Sequence, residues 1–231
     1  MLGRITPLRT KIALAGAVLF LLVIALVIFD RRGDSPARPP QAVVDPATAA
    51  ENNFARSMLL TLDDFPADWV EIPGALPPAI PDICSALIPA PIGSASSTTF
   101  SPGAGGGGTA EYVLTFATLQ DATALMDALT PIANCFVEEL LLPAHGTDLL
   151  QVTDATVAAL QVPIEGARTS AFEITGTAVI PTLSQEPLAV HDDYLFILRG
   201  TTVAEVRIRS IPPPDAQTRA DLAAKAAAKL K

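Results

Sequence analysis

The hydrophobic pattern of this chain is dominated by one uninterrupted apolar stretch, residues 12–29 (IALAGAVLFLLVIALVIF), which contains no charged side chain. Arg9 and Lys11 precede the stretch, and the charged Asp30 follows it. A helix of that length rises about 27 Å, close to the roughly 30 Å of hydrocarbon in a bilayer. The pattern therefore predicts a single transmembrane helix over residues 12–29 and leaves residues 1–11 as a short tail.

The segment after the predicted span, residues 30–53, has the composition of a linker, with charged residues first and then proline, alanine and aspartate. Its prolines favour an extended chain that holds the following domain away from the bilayer. Residues 54–231 show no internal repeat and no second linker, so we expect them to form one domain. The linker prolines are Pro36, Pro39, Pro40 and Pro46.

The first half of this domain alternates between short helices and short strands. Phe54 and Met58 share one face of a predicted short helix, and a helical turn over residues 82–87 carries Cys84. Apolar and polar residues alternate with the period of a strand over residues 111–117. Further extended segments are expected at residues 69–72 and at residues 97–101, with Phe100 facing inward, and Tyr112, Leu114 and Phe116 share one face of their strand.

The second half begins with the strongest helical pattern, residues 119–140, in which Pro131 predicts a kink or a break. Gly200 fits a hairpin turn between two strands, and Asp215 is placed to cap a final helix that runs to Leu230. Strands are predicted over residues 149–157, 167–178, 194–199 and 203–209. The inward positions of the long helix are Ala122, Leu125, Met126, Leu129, Ala133 and Phe136.

These elements predict an α+β fold, in which an N-terminal transmembrane helix is followed by one domain with an antiparallel sheet flanked by helices. Charged residues alternate with apolar ones in the last strand, so we expect one of its faces to be solvent-exposed. The charged face begins at Val203 and continues with Glu205, Arg207 and Arg209, whereas Ala204, Val206 and Ile208 form the other face.

The side of the membrane on which the domain lies is not decided by the flanking basic residues, which are balanced between the two ends of the span. Large C-terminal domains are exported largely regardless of charge, and we therefore expect a single-pass protein of the cell membrane with the N-terminus inside and the domain outside. Large residues at the end of the apolar stretch argue against signal-peptide cleavage. The basic residues are Arg4, Arg9 and Lys11 on one side and Arg31, Arg32 and Arg38 on the other.

The two cysteines of the chain, Cys84 and Cys135, are predicted to form a disulfide, as a lone pair in an exported domain usually does. Closing a loop of about 50 residues removes roughly 4 kcal/mol of unfolded-state entropy. A zinc site would need two further ligands that the sequence does not supply. All 24 acidic residues follow the predicted span, and this acidity argues against nucleic-acid binding.

Residues 59–69 (LLTLDDFPADW) resemble the opening of many exported bacterial sensor domains, LL-x-x-x-DLP-x-GW. With the order of elements through Cys84 and Cys135, residues 54–230 resemble the extracellular sensor domain of PknH-type serine/threonine kinases and related anchored envelope proteins. The resemblance implies an α+β domain with a cleft suspected to bind a ligand and no established catalysis. Phe65 and Asp68 depart from the usual Leu and Gly, and the second disulfide of the kinase sensor cannot form. The residues before the span are expected to be too few for a kinase domain.

No catalytic, cofactor-binding or metal-binding constellation is predicted. The glycines of residues 103–108 match G-x-G-x-x-G, but a strand rather than a helix follows, so we interpret them as a hairpin loop. His191, Asp192 and Asp193 could hold a cation, although a polar turn before a strand is the favoured interpretation. A turn cap is favoured over an acid/base pair for Asp63 and Asp64, and a core position over a ligand platform for Trp69.

The sequence leaves two main functional hypotheses, and a hydrolase remains as a third alternative. The first is a non-catalytic, membrane-anchored ligand-binding or sensor-like module, whose partners are the bilayer through residues 12–29 and an unknown envelope ligand or protein. The alternative is a structural or assembly factor of the cell envelope that acts through protein contacts, with the alanine-rich C-terminal helix as an exposed contact surface.

Overall fold

The computed structural model describes residues 46–72, 84, 87–102, 107–141, 151–180, 184–210 and 213–231. They form an antiparallel sheet of eight strands with helices on both faces, which confirms the predicted α+β class. The predicted tail, span and most of the linker lie outside these residues. Among the helices within the described ranges, none is long and apolar enough to cross a bilayer.

Four α-helices and one 3-10 turn accompany the strands. The helices are α1 (Pro46–Arg56), α2 (Leu119–Asp127), α3 (Leu129–Leu141) and α4 (Ala216–Lys229), and the 3-10 turn is Leu62–Asp64. The strands are β1 (Trp69–Ile72), β2 (Gly93–Ser96), β3 (Thr99–Pro102), β4 (Gly107–Thr115), β5 (Gln151–Leu160), β6 (Arg168–Ile180), β7 (Ser184–Arg199) and β8 (Thr202–Ser210).

The strand order places β4 and β8 side by side at the centre of the sheet, in the order β1-β3-β4-β8-β7-β6-β5, with β2 also paired to β4. All these pairs are antiparallel. The turn between β7 and β8 contains Gly200 at a φ of 58°, a left-handed conformation that glycine adopts without strain. The predicted hairpin at Gly200 is therefore confirmed.

One face of the sheet is covered by α1 and α4, and we call it the terminal-helix face. Asp215 caps α4 as predicted, since its side chain accepts a hydrogen bond from the Thr218 backbone N–H at 2.7 Å. The apolar stripe of α4 is buried against the sheet, which contradicts the expectation of an exposed C-terminal helix. The stripe consists of Leu222, Ala223, Ala226, Ala227 and Leu230, and its sheet partners include Val113, Leu195, Ile197 and Val206.

The opposite face is covered by α2 and α3, and we call it the disulfide face because α3 carries Cys135. The predicted break near Pro131 is confirmed, since the helix is divided at Ala128 and Pro131 lies in the first turn of α3, where its missing N–H costs nothing. All predicted inward positions of this helical layer are buried. They pack on Tyr112, Phe172, Tyr194, Phe196, Leu198 and Val203.

The structure differs from the sequence expectations in three further places. First, the face of β8 that carries Glu205 is covered by α2 and α3 over most of its length. Only the end of this face at Arg209 is exposed to solvent. Second, β7 begins at Ser184 rather than near Tyr194. The sequence pattern misses its first half because that half contains Pro187 and the polar run from His191 to Asp193. Third, α1 begins at Pro46, inside the segment predicted as linker, and packs on β2 through a hydrogen bond from the Ser94 N–H to the Asn52 side chain.

Candidate functional site

The most unusual polar feature of the described structure lies on the disulfide face, along β8. The side chains of Glu205, Arg207 and Arg209 follow one another on this face because residues two apart in a strand point to the same side. Asp192 of the neighbouring β7 pairs in register with Arg209 and lies on the same face. We call these four residues the β8 polar row: Glu205, Arg207, Arg209 and Asp192.

The outer part of the row is an ion cluster around the buried carboxylate of Asp192. This carboxylate accepts hydrogen bonds from Arg207 Nη2 at 2.9 Å, from Arg209 Nε at 2.7 Å and from Arg209 Nη2 at 2.6 Å. Burial acts to raise the pKa of Asp192, but the charges and hydrogen bonds of Arg209 and Arg207 outweigh it and lower the pKa. Asp192 is therefore ionised at any ordinary pH.

The two arginines of the row differ in exposure. The Arg207 side chain is 13% exposed, and its guanidinium lies over the ring of Tyr194 at 5.0 Å from the centroid, a cation–π contact that favours the charge. The Arg209 side chain is 48% exposed. The row therefore passes from the interior, at Glu205, to solvent, at Arg209.

Glu205 lies at the inner end of the row and is 1% exposed. It pairs in register with Tyr112 of β4 on one side and with Phe196 of β7 on the other. Within the described part of the chain, neither of its carboxyl oxygens has a hydrogen-bond partner. Burial raises the pKa of Glu205 to about 8, and the charge of Arg207 opposes this only in part. At neutral pH the group is therefore a neutral carboxylic acid.

A second buried glutamate, Glu111 of β4, lies on the terminal-helix face. Its Oε2 accepts a hydrogen bond from the backbone N–H of Leu60. Burial raises the pKa of Glu111 to about 8, although this hydrogen bond and the charge of Lys229 act in the opposite direction. Glu111 thus anchors residues 59–69, the segment on which the resemblance to sensor domains rests, to the centre of the sheet.

The same segment is attached to the C-terminal helix. Lys229 of α4 forms an ion pair with Asp64 at 2.5 Å and donates a hydrogen bond to the Leu59 carbonyl at 3.0 Å. Asp64 also accepts a hydrogen bond from the Thr61 backbone N–H at 2.7 Å. The carboxylate of Asp64 therefore caps the turn, which confirms that part of the prediction for Asp63 and Asp64.

The ring of Trp69 is partly buried and is stacked on Phe65 with centroids 4.8 Å apart. Phe65 is in turn stacked on Phe100 with centroids 4.5 Å apart. The rings therefore form one column that packs β1 against β3, which places Trp69 at the edge of the terminal-helix core. Phe100 faces inward, as predicted.

The candidate cation group of His191, Asp192 and Asp193 is not brought together, because consecutive strand residues point to opposite faces. His191 Nδ1 lies 2.9 Å from Glu173 Oε1, and Asp193 accepts a hydrogen bond from Arg219 Nε at 2.6 Å, both on the terminal-helix face. Burial raises the pKa of Asp193, and Arg219 opposes the shift. No group of three potential metal ligands occurs among the described residues.

The predicted disulfide is present, with the Cys84 and Cys135 Cα atoms 5.9 Å apart. It attaches the segment between β1 and β2 to α3, above the disulfide face. Cys84 is fully buried in the same apolar cluster as Tyr112 and Val203. Of the glycine-rich loop, Gly107 and Gly108 lie in β4, where they pair with Ser210 and Arg209, and residues 103–106 lie outside the described ranges.

The sequence pattern did not identify the β8 polar row as a site. The alternation along β8 predicts a solvent-exposed face for Glu205, Arg207 and Arg209, and Asp192 belongs to the candidate cation group, whereas Glu205 and Asp192 are both buried. Because Asp192 comes from a strand predicted to start two residues later, its place beside the arginines could not be expected.

Comparisons with known proteins give no assignment for this arrangement. No protein-family model matches the chain, and a search of curated proteins found no match. The resemblance to PknH-type sensor domains therefore stays a prediction, which rests on residues 59–69, the cysteine pair and the order of the elements.

Proposed function

We propose that this protein is a membrane-anchored, extracytoplasmic ligand-binding module of the sensor type and that it has no catalytic activity of its own. Residues 12–29 would anchor it, the linker would hold the domain off the bilayer, and the disulfide would stabilise the domain in an oxidising compartment. The resemblance to PknH-type sensor domains supports the same interpretation.

The single observation that supports ligand binding best is the unpartnered carboxyl of Glu205. Buried polar groups in folded proteins nearly always have a hydrogen-bond partner, and leaving one without a partner costs about 1–3 kcal/mol. Glu205 lies at the inner end of a polar row that reaches solvent at Arg209. A polar ligand that entered along the row would compensate this cost, and the free energy gained would appear as affinity.

The localisation is tested by adding a protease to intact cells. We expect the domain to be degraded and the tail to be protected, and we expect the disulfide to be oxidised in protein taken from the cells. Protection of the domain, or two free thiols in cells, would contradict the proposal. Binding is tested by measuring the thermal unfolding of the full chain in detergent with envelope lipids, glycans and peptides, of which at least one should raise the midpoint.

The alternative hypothesis, a structural or assembly factor, has less support than the sequence suggested. Its proposed contact surface was the C-terminal helix, whose apolar stripe is buried in the domain. A partner that co-purifies with the full chain, and is lost when the exposed face of α4 is changed while the buried stripe is left intact, would favour this alternative.

A further inference from the structure

The outer end of the β8 polar row has an imbalance of charge and of hydrogen-bonding capacity. Two guanidinium groups, those of Arg207 and Arg209, share the single carboxylate of Asp192. Glu205, the other acidic side chain of the row, is buried without a hydrogen-bond partner among the described residues and is neutral at neutral pH. The row therefore carries one positive charge in excess, in a protein whose formal net charge is −9.

Two other arginines, Arg168 and Arg219, each have at least one carboxylate of their own, whereas Arg56 and Arg199 donate to the Asn53 side chain and to the Ala227 carbonyl. Arg168 has one carboxylate partner, Asp127, at 2.6 Å. Arg219 lies near two carboxylates, those of Asp193 at 2.6 Å and Glu173 at 4.0 Å. The β8 row differs from the ion pairs of Arg168 and Arg219 in that a single carboxylate, that of Asp192, binds two guanidinium groups.

The geometry of the contact leaves one edge of Arg209 unused by Asp192. Asp192 binds Arg209 side-on, through Nε and Nη2. A guanidinium presents its N–H groups on fixed edges of a plane, so the end-on edge formed by Nη1 and Nη2 points away from Asp192. That edge has the geometry that binds carboxylate and phosphate oxygens in a bidentate manner, and the side chain is 48% exposed.

The neighbouring strand β4 places only small residues beside the arginines, and the space above Gly108 is filled by Thr99 of β3, whose Cγ2 would lie 2.6 Å from a Cβ added there. The residues of β4 that pair with Arg207 and Arg209 are Ala110 and Gly108, which have the smallest side chains available. On the β7 side, by contrast, the arginines lie against Tyr194 and Asp192. No large side chain of β4 therefore covers the arginines in register.

We propose that the outer end of the β8 polar row binds an anionic group, a carboxylate or a phosphate, between the guanidinium groups of Arg207 and Arg209. This inference rests on the proposed ligand-binding function and adds the chemical class of the ligand. Asp192 acts as a positioning residue that binds both guanidinium groups, and the ring of Tyr194 packs against the guanidinium of Arg207. The anion could be a free solute or the headgroup of a lipid, since both present the same oxygens.

The row also makes the binding depend on pH. When Glu205 ionises, above about pH 8, a second negative charge is added beside Arg207, and the excess positive charge disappears. The other titratable groups near Glu205 are Tyr112 of β4 and Tyr194 and Asp192 of β7. Burial raises the pKa of both tyrosines, and they remain neutral in this range, so Glu205 is the group that changes charge.

The test uses the full chain in a neutral detergent, titrated with inorganic phosphate and with succinate at constant ionic strength against chloride. We expect both anions to raise the unfolding midpoint and the Arg209→Gln variant to bind them roughly 10- to 100-fold more weakly. Arg168→Gln is the matched control, because Arg168 is also half-exposed and paired with one carboxylate. It should bind like the wild type.

Three outcomes would overturn the proposal: no response of the wild type to millimolar phosphate or succinate, an equal response to chloride, or an equal loss in the Arg168→Gln variant. Arg209→Lys keeps the positive charge but not the planar pair of N–H groups, and it should bind the anions at an intermediate level. This retained binding would show that the weaker binding of Arg209→Gln is not caused by loss of the fold. If another ligand binds the wild type and Arg209→Gln equally well, the anion site fails while the proposed function stands.

A second arm distinguishes the two sources of the anion. The full chain is reconstituted into phosphatidylcholine bilayers with and without phosphatidylglycerol, and its unfolding midpoint is measured. A rise with phosphatidylglycerol that Arg209→Gln abolishes identifies a lipid headgroup as the ligand. If the lipid has no effect while soluble phosphate does, the site binds a free anion.

Discussion

Each face of the sheet buries one glutamate on one of the two central strands, and the two side chains differ in their hydrogen-bond partners. On the terminal-helix face, Glu111 accepts a hydrogen bond from Leu60 and lies near Lys229. On the disulfide face, neither oxygen of Glu205 has a partner in the described structure. Burial raises the pKa of each to about 8, so the difference lies in the partners and not in the depth.

This difference indicates separate roles for the two faces. Glu111 connects the segment that follows α1 to the sheet through its Oε2, although its Oε1, like both oxygens of Glu205, has no hydrogen-bond partner in the described structure. Glu205 has no such structural partner, and its burial costs stability unless something else binds there. Proteins retain groups of this kind where function requires them, at the expense of stability. The two glutamates therefore differ in kind, since Glu111 has a structural partner through Oε2 and Glu205 has none, and the proposed ligand-binding function would use the disulfide face.

The largest effect expected of a substitution at one fixed pH concerns the covalent bond of the disulfide face. Replacing Cys84 and Cys135 together by serine should lower the free energy of unfolding by about 4 kcal/mol, because the loop of 51 residues is no longer closed in the unfolded chain. Urea unfolding of the full chain in detergent measures the change. Hydrogen exchange should accelerate more in α2 and α3 than in α4.

Reduction of the wild-type protein provides the control for this variant, since it breaks the same bond without changing the sequence. The reduced protein should unfold at the urea concentration of the double variant. If the double variant is as stable as the oxidised wild type, or if exchange increases equally on both faces, the disulfide does not stabilise one face selectively.

The pH dependence of stability tests both glutamates together. In the unfolded chain a glutamate ionises near pH 4.3, whereas Glu111 and Glu205 stay protonated in the folded state up to about pH 8. The unfolded state therefore binds fewer protons in this window, and stability falls as the pH rises. Each group contributes a slope of up to about 1.4 kcal/mol per pH unit. Above about pH 8 this contribution is constant.

Urea midpoints of the full chain between about pH 5 and about pH 8 measure this slope. The variants Glu111→Gln and Glu205→Gln should each reduce it, and the double variant should have the flattest profile. Below this window the opposite trend is expected from Asp192, whose lowered pKa gives stability that is lost as the pH falls. A wild-type profile without a decline toward pH 8 would contradict the burial of these carboxyls as neutral acids.

Much of the fold follows from local patterns in the sequence. The helix break at Pro131, the hairpin at Gly200, the cap at Asp215 and the cysteine pair were all predictable, because each depends on residues close in sequence or on the only two cysteines. The candidate site was not predictable. Alternation along β8 shows that its two faces differ, but a buried ion cluster and a solvent-exposed face give the same pattern of charged residues.

The extent of β7 shows a second limit of the sequence pattern. Its first half contains Pro187 and the polar run from His191 to Asp193, which is typical of a turn. These residues are held in a strand by partners that are distant in sequence, among them Arg209 for Asp192 and Arg219 for Asp193. Long-range ion pairs override local propensity here, and one sequence does not reveal which charges will meet.

The two glutamates should respond in opposite directions to an apolar replacement of similar volume. Glu111→Met leaves the buried N–H of Leu60 without an acceptor and should cost about 1–3 kcal/mol. Glu205→Met removes a buried carboxyl without partners and should raise stability by about 1–2 kcal/mol. Urea unfolding at neutral pH, in the absence of added anions, measures both changes.

Glutamine variants refine this comparison. Glu111→Gln retains an oxygen that can accept from Leu60, so its stability at neutral pH should stay close to that of the wild type. Glu205→Gln keeps a buried polar group without partners, so this variant should be no more stable than the wild type. If Glu205→Met loses as much stability as Glu111→Met, the carboxyl of Glu205 has a structural partner, and the proposed difference between the two faces is wrong.

The smallest effect is expected at Lys229, whose ammonium group lies over the segment held by Glu111. Lys229→Met removes the ion pair with Asp64 and the hydrogen bond to the Leu59 carbonyl. The expected loss is about 1 kcal/mol, since a partly exposed ion pair contributes little and Lys225 still donates to the Asp64 carbonyl. Lys231→Met is the control at the exposed C-terminus, and anion binding on the disulfide face should be unchanged in both variants. A loss of anion binding in Lys229→Met would mean that the two faces are coupled through the sheet.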